Sequence, residues 1–120
     1  MPILHHRTNV YCYCEPIDMR KSFDSIYSIV KNELNKNIFS DSLFLFVSKG
    51  RDKAKVLYWD GTGLVIFYKR LEKGLFSNFK RRSSKEVKLS FNELQLFLEG
   101  TKLEKELPLS PEPLDTSAYA

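Results

Sequence analysis

Histidine is nearly absent. The 120-residue sequence holds two, His5 and His6, at its extreme N-terminus, so a Ser-His or Cys-His catalytic pair would need that terminus folded back onto the rest of the chain. Cysteine is as scarce: Cys12 and Cys14 stand alone. On a strand their i, i+2 spacing puts both on one face with nothing else to pair with, which excludes a disulfide framework. Together with His5 and His6 they lack the usual zinc-ligand spacings, so neither a metal nor another cofactor is expected. A phosphate-cradling loop is missing too, because Gly61-Thr62-Gly63 is too short and sits between strands rather than before a helix. Asp18, Asp24, Asp41, Asp52 and Asp60 occupy cap or turn positions, where aspartate serves the backbone. The residues thus show no catalytic site, and a non-enzymatic binding protein is the expectation. No window approaches the ~18 apolar residues that span a bilayer. The N-terminus also lacks the apolar core, ~7 to 15 residues long, of a secretory signal, so a cytoplasmic protein is expected.

What is present fits one α+β domain, since a chain of this length has room for a single core. Residues 1–8 show no periodicity and are expected to be a flexible N-terminus, 9–100 to form the domain, and 101–120, with Pro108, Pro111 and Pro113, to be a largely disordered tail. Asn9 to Cys14 reads as a first strand. From Met19 to about Asn35, the apolar residues Met19, Phe23, Ile26, Tyr27, Val30 and Leu34 recur at spacings of three and four. That is one stripe of a long amphipathic helix, with Asp18 as N-cap and Asn35 able to take the left-handed stop. Leu43 to Val47, Lys55 to Trp59 and Leu64 to Arg70 then form an antiparallel meander. Its hairpin turn is Asp60-Gly61-Thr62-Gly63, where Asp and Gly suit the positive φ of a tight reversal.

Each of these strands is apolar on both alternations, which predicts a sheet covered on both sides. One cover is the long helix. The other is a short C-terminal helix, Phe91 to Glu99, capped by Ser90 with Glu93 as its reciprocal partner and stopped at Gly100. If that helix lies across an end of the sheet instead, aromatic surface stays exposed, and a homodimer becomes a fair expectation. Val87 to Leu89 adds an edge strand.

The net charge of +4 is unevenly spread: Lys49 to Lys88 holds twelve Lys and Arg against four acids, and the remainder seven against eleven. Concentrated positive charge points to a polyanion partner. Lys69, Arg70, Lys73, Lys80, Arg81, Arg82, Lys85 and Lys88 can neutralise several phosphates on one continuous surface. Tyr58, Trp59, Tyr68 and Phe76 lie close enough in sequence to stack on bases, although strand aromatics at such spacings are what any sheet buries. No recognition helix carries exposed Arg, Asn and Gln for base readout.

Pro16, Asp18, Arg20 and Lys21 in Glu15-Pro-Ile-Asp-Met-Arg-Lys, the run Leu43-Phe-Leu-Phe, then Trp59, Asp60 and Gly61 in Lys55-Val-Leu-Tyr-Trp-Asp-Gly, followed by Tyr68-Lys-Arg-Leu-Glu-Lys-Gly74 and Leu98-Glu-Gly, resemble in order and spacing the TnpB (Orf2-like) accessory protein of insertion sequence family 66. The resemblance covers about residues 9 to 101. After Gly74 the chain departs from it, with Leu75-Phe-Ser-Asn where the family tends to carry Arg-Phe and then Trp-Pro. The resemblance implies a non-catalytic helper in transposition. Such a helper would bind element DNA through the basic hairpin and loop, or, alternatively, bind the transposase through an apolar sheet face. Arg20 and Lys21 at a helix N-terminus would oppose the dipole, so each is expected to answer an anion: an internal carboxylate such as Asp60 or Glu72 in preference to DNA phosphate.

Overall fold

Among the described residues, five strands form one mixed sheet in the order β4-β3-β2-β1-β5. They are β1 (Asn9–Tyr13), β2 (Ser42–Val47), β3 (Lys53–Trp59), β4 (Leu64–Arg70) and β5 (Glu86–Leu89). The structure, a computed structural model, describes residues 9–79 and 85–102. The N-terminus 1–8, the cluster Lys80, Arg81 and Arg82, and the tail from residue 103 lie outside the described residues.

The meander β2-β3-β4 is antiparallel, as its short connections require. β1 is not part of the meander: it pairs parallel with β2 and antiparallel with β5. A parallel neighbour needs a long crossover, and the helical segment between β1 and β2 supplies it.

That segment begins later than its apolar stripe suggests. α1 (Phe23–Ser28) continues as a π-helical stretch, Ile29–Glu33, and ends on Asn35 in the left-handed conformation, φ +55°. Met19 to Lys21 stay out of the helix because their polar groups are engaged elsewhere. The Lys21 amide donates to the Asp18 carbonyl in a turn, and the Met19 and Lys21 carbonyls accept from the Lys55 side chain. Asp18 is therefore not the N-cap; Ser22 holds that position without a side-chain cap.

Both faces of the sheet are covered. Ile26, Ile29, Val30 and Leu34 pack on Phe44, Phe46 and Leu57 on one side. On the other, α2 (Phe91–Leu98) sets Leu94, Phe97 and Leu98 against Val10, Leu45, Val56 and Val87. The Ser90 hydroxyl accepts from the Glu93 amide while the Glu93 carboxylate accepts from the Ser90 amide, which makes the expected capping box. Phe76 and Phe79 join this second layer, their rings stacked on Phe97 at 4.9 and 5.7 Å. Cys12 is buried in it, and burial pushes its thiol pKa up, so it is an inert core residue.

Candidate nucleic-acid interface

The strand registers bring five chain segments to one end of the sheet. Cys12 lies opposite Leu45, Val47 opposite Ala54, Lys53 opposite Arg70 and Tyr13 opposite Glu86. Hence the exits of β1, β2 and β4 and the entries of β3 and β5 share that end. The hairpin turn Asp60–Gly63 lies at the other.

Lys55 organises the crowded end. It sits on β3 with 6% of its surface exposed, and its ammonium donates to the Met19 carbonyl at 2.8 Å and the Lys21 carbonyl at 2.7 Å. The same group lies 4.7 Å from the centroid of the Tyr68 ring, a cation–π contact. Burial lowers the Lys55 pKa, with the nearby Asp18 opposing that shift. One buried cation therefore ties the Pro16–Lys21 segment to β3 and β4.

Around it, the acids have close partners. Arg20 binds Asp18, both through its guanidinium and through its backbone amide. This clasp brings the Asp18 carboxyl down to about 2. Arg20 thus answers its own neighbour two residues away, not Asp60 or Glu72. Glu72 is taken by Arg70 at 2.8 Å, which raises the Arg70 pKa. Asp52 is taken by Lys53 at 3.2 Å, which lowers the Asp52 pKa.

At this end of the sheet Lys21, Lys49, Arg51, Lys69, Lys73 and Lys85 have no ion pair among the described residues, as is also true of Lys31, Lys88 and Lys102 elsewhere. Lys49 and Arg51 stand on the β2–β3 turn, which Ser48 shapes by accepting the Lys53 amide on its hydroxyl. Arg51 has φ +63°, a left-handed conformation that costs a non-glycine residue of order 1 kcal/mol or more. The turn is held from behind, where the Leu71 amide donates to the Asp52 carbonyl and the Phe76 amide to the Arg51 carbonyl, each at 2.7 Å. Beside it an open hollow of about 450 Å3 is bordered by Asp18, Arg20, Lys49, Lys53 and Tyr68.

The eight cations singled out in the sequence do not form one continuous surface among the described residues. Lys69 and Arg70 are on β4 and Lys88 on β5, the two opposite edges of the sheet, roughly 19 Å apart at four strand spacings. Lys73 is exposed three residues after the end of β4. Lys85 enters β5 at the crowded end, its carbonyl accepting the Cys14 amide at 2.9 Å. Lys88 points away, over the Tyr11 ring at 5.9 Å. Lys80, Arg81 and Arg82 lie outside the described residues.

Of the motif residues, Pro16 precedes the Ile17–Ser48 bridge, and Lys21 is exposed beside Lys55. Trp59, Asp60 and Gly61 are at the far end, where the Asp60 carboxylate accepts the Thr62 and Gly63 amides. Trp59 meets Phe39 edge-on at 4.9 Å. The aromatics divide: Tyr58 and Phe76 are core, whereas Tyr68 is 51% exposed. Lys49 and Arg51 belong to the β2–β3 turn and Lys53 opens β3, and their signal in the sequence is three cations in five residues after a strand.

These features define an α+β protein with a basic loop-built end. No group of three His, Cys, Asp or Glu among the described residues could hold a metal ion. No helix among them is long and apolar enough to cross a membrane. A family model described as IS66 Orf2-like protein matches residues 8–107. The chain belongs to that family, which ties it to an insertion sequence. It is also similar to two proteins of Sinorhizobium fredii, uncharacterized protein y4jC and uncharacterized protein y4hO. The first is 31% identical over 62 residues, 52% of this chain and 53% of that one; the second is 37% identical over 59 residues, 49% and 51%. The chain thus spans about half the length of these curated relatives. No solved structure shows significant similarity to it.

Proposed function

We propose that this chain is a non-catalytic accessory protein of transposition that binds DNA through the basic end of its sheet. The observation that carries the reading is the pairing pattern there. Asp18, Asp52 and Glu72 are each held by a neighbouring cation, while Lys21, Lys49, Arg51, Lys69 and Lys73 have no ion pair among the described residues. A surface whose acids are already neutralised presents net positive charge, and phosphates are its natural counter-charge. Docking the β2–β3 turn through the Asp52 and Arg51 carbonyls fixes where Lys49 and Arg51 point, so little ordering is left for binding to impose.

The test is affinity against salt for duplex DNA. Log K is expected to fall linearly with log salt, by about 0.9 of slope per phosphate contacted. The double substitution Lys49→Ala with Arg51→Ala should reduce that slope by about 2, while Lys88→Ala on the far edge leaves it unchanged. Equal losses from both variants, or binding that ignores salt, would overturn the assignment. The second reading, an adaptor for the transposase, has little apolar sheet face available, because α1 and α2 cover both faces. What it retains is the β4 edge.

A further inference from the structure

We propose that β4 is a self-association edge through which two copies of this chain pair antiparallel about Ile66, joining their sheets into one of ten strands. This goes beyond the DNA reading and does not depend on it.

The backbone states what the edge requires. The Asp60 amide donates to the Gly63 carbonyl at 3.0 Å, and the Leu71 amide to the Asp52 carbonyl at 2.7 Å. Antiparallel pairing alternates hydrogen-bonded and non-bonded residues, so Val65, Phe67 and Lys69 turn their amides and carbonyls toward β3. Leu64, Ile66, Tyr68 and Arg70 turn theirs outward, to a side where no strand pairs among the described residues.

Natural edges are guarded by charge, proline, bulges or shortness. β4 has seven residues, an unbroken register from Lys53–Arg70 to Trp59–Leu64, and no charge from Leu64 to Tyr68. Its side chains are half-open on both faces: Leu64 and Ile66 beside the α1 layer, Val65 and Phe67 beside the α2 layer. A helix or an apolar loop would satisfy one face and leave the outward amides unpaired. A strand apolar on both alternations satisfies all of them, and β4 is itself such a strand.

Charge selects the copy and its direction. With Ile66 opposite Ile66 of the second copy, Leu64 faces Tyr68, and Lys69 and Arg70 come against Gly63 and Thr62 of the turn that carries the exposed Asp60 carboxylate. Basic end then meets acidic turn at both limits of the pairing, whereas a parallel alignment would stack Lys69 and Arg70 on their own copies. Like charges directly opposite destabilise a strand pair.

Sedimentation of the full chain from low to high micromolar should reveal a dimer. Amide hydrogen exchange should then show Ile66 and Tyr68 slowed by about tenfold or more between dilute and concentrated protein. Ile66→Lys sets two ammonium groups face to face and should return the protein to monomer with its circular dichroism retained. Should that variant fail to fold, the exchange result on the unaltered chain decides alone. A monomer at high concentration would overturn the proposal. So would a dimer whose Ile66 and Tyr68 amides exchange freely, a dimer indifferent to Ile66→Lys, or protection that appears only when a transposase is added.

Discussion

The two ends of the sheet are built by opposite means. At the hairpin tip, residues within four positions of each other do everything: the Asp60 carboxylate accepts two amides and the Thr62 hydroxyl, and Gly61 takes φ +107°. At the basic end, the decisive contacts cross 34 to 36 residues of sequence, from the Lys55 ammonium to the Lys21 and Met19 carbonyls. A locally closed turn forms whatever the rest of the chain does. An end assembled over long range exists only when α1, β3 and β4 are already in place, so its charges and its fold are coupled.

The largest test of that contrast is Lys55→Met, which keeps the stem and removes the cation. Two part-buried carbonyls lose a charged donor, at a cost of about 2 kcal/mol, which should lower the melting temperature by several degrees in a domain of this size. Amide exchange should accelerate across residues 17–21 and leave 61–63 unchanged. DNA affinity should fall as well, although Lys55 itself is buried. Loss confined to residues 17–21 with intact affinity would separate the clamp from the basic surface.

Gly61→Ala probes the other end. A Cβ there meets nothing within 4 Å, so the penalty is purely conformational, about 1 kcal/mol for a left-handed alanine. Chemical denaturation should register it, while the salt slope of DNA binding stays as it was. A change in slope would mean that the tip reaches the basic end, either through β3 and β4 or across the proposed pairing of β4 with a second copy.

The same contrast explains what could be read from the residues alone. The Asp60 turn, the Ser90–Glu93 capping box and the Asn35 stop were legible because each is a local bargain between a side chain and nearby backbone. The two-sided cover of the sheet was legible from strands apolar on both alternations. The parallel pairing of β1 with β2 was not, since strand direction depends on where α1 docks, and periodicity is silent on that. The apolar stripe starts the helix four residues too early because it runs through Met19, whereas Lys55, 36 positions away, claims the Met19 carbonyl. Arg51 is hidden from the sequence for a related reason: its left-handed backbone belongs to a turn pinned by Leu71 and Phe76, neither of which its own neighbourhood announces. In the candidate site, charge density points to Lys69 and Lys73, but it cannot tell opposite edges of a sheet apart, and Lys88 falls in the same run.

The smallest effect concerns Asp18, and it tests whether the Arg20 clasp belongs to the long-range end or is a local feature like the tip. The guanidinium and amide of Arg20 hold the Asp18 carboxyl at about 2 instead of an ordinary 3.8. A carboxyl whose pKa is lower folded than unfolded stabilises the folded state above the unfolded value, and the contribution is lost as pH falls through the folded one. The clasp's contribution to stability should therefore be complete above about pH 4 and fade as pH falls from there toward 2, with nothing changing near neutrality. Carboxyl-carbon NMR of Asp18 should show a midpoint near 2 that rises toward the ordinary value in Arg20→Ala, with little loss of stability because both side chains are solvated. If the midpoint also rises in Lys55→Met, the clasp needs the long-range clamp to hold its turn in shape. If only Arg20→Ala moves it, Asp18 and Arg20 form a second self-sufficient turn, and the long-range character of the basic end resides in Lys55 alone.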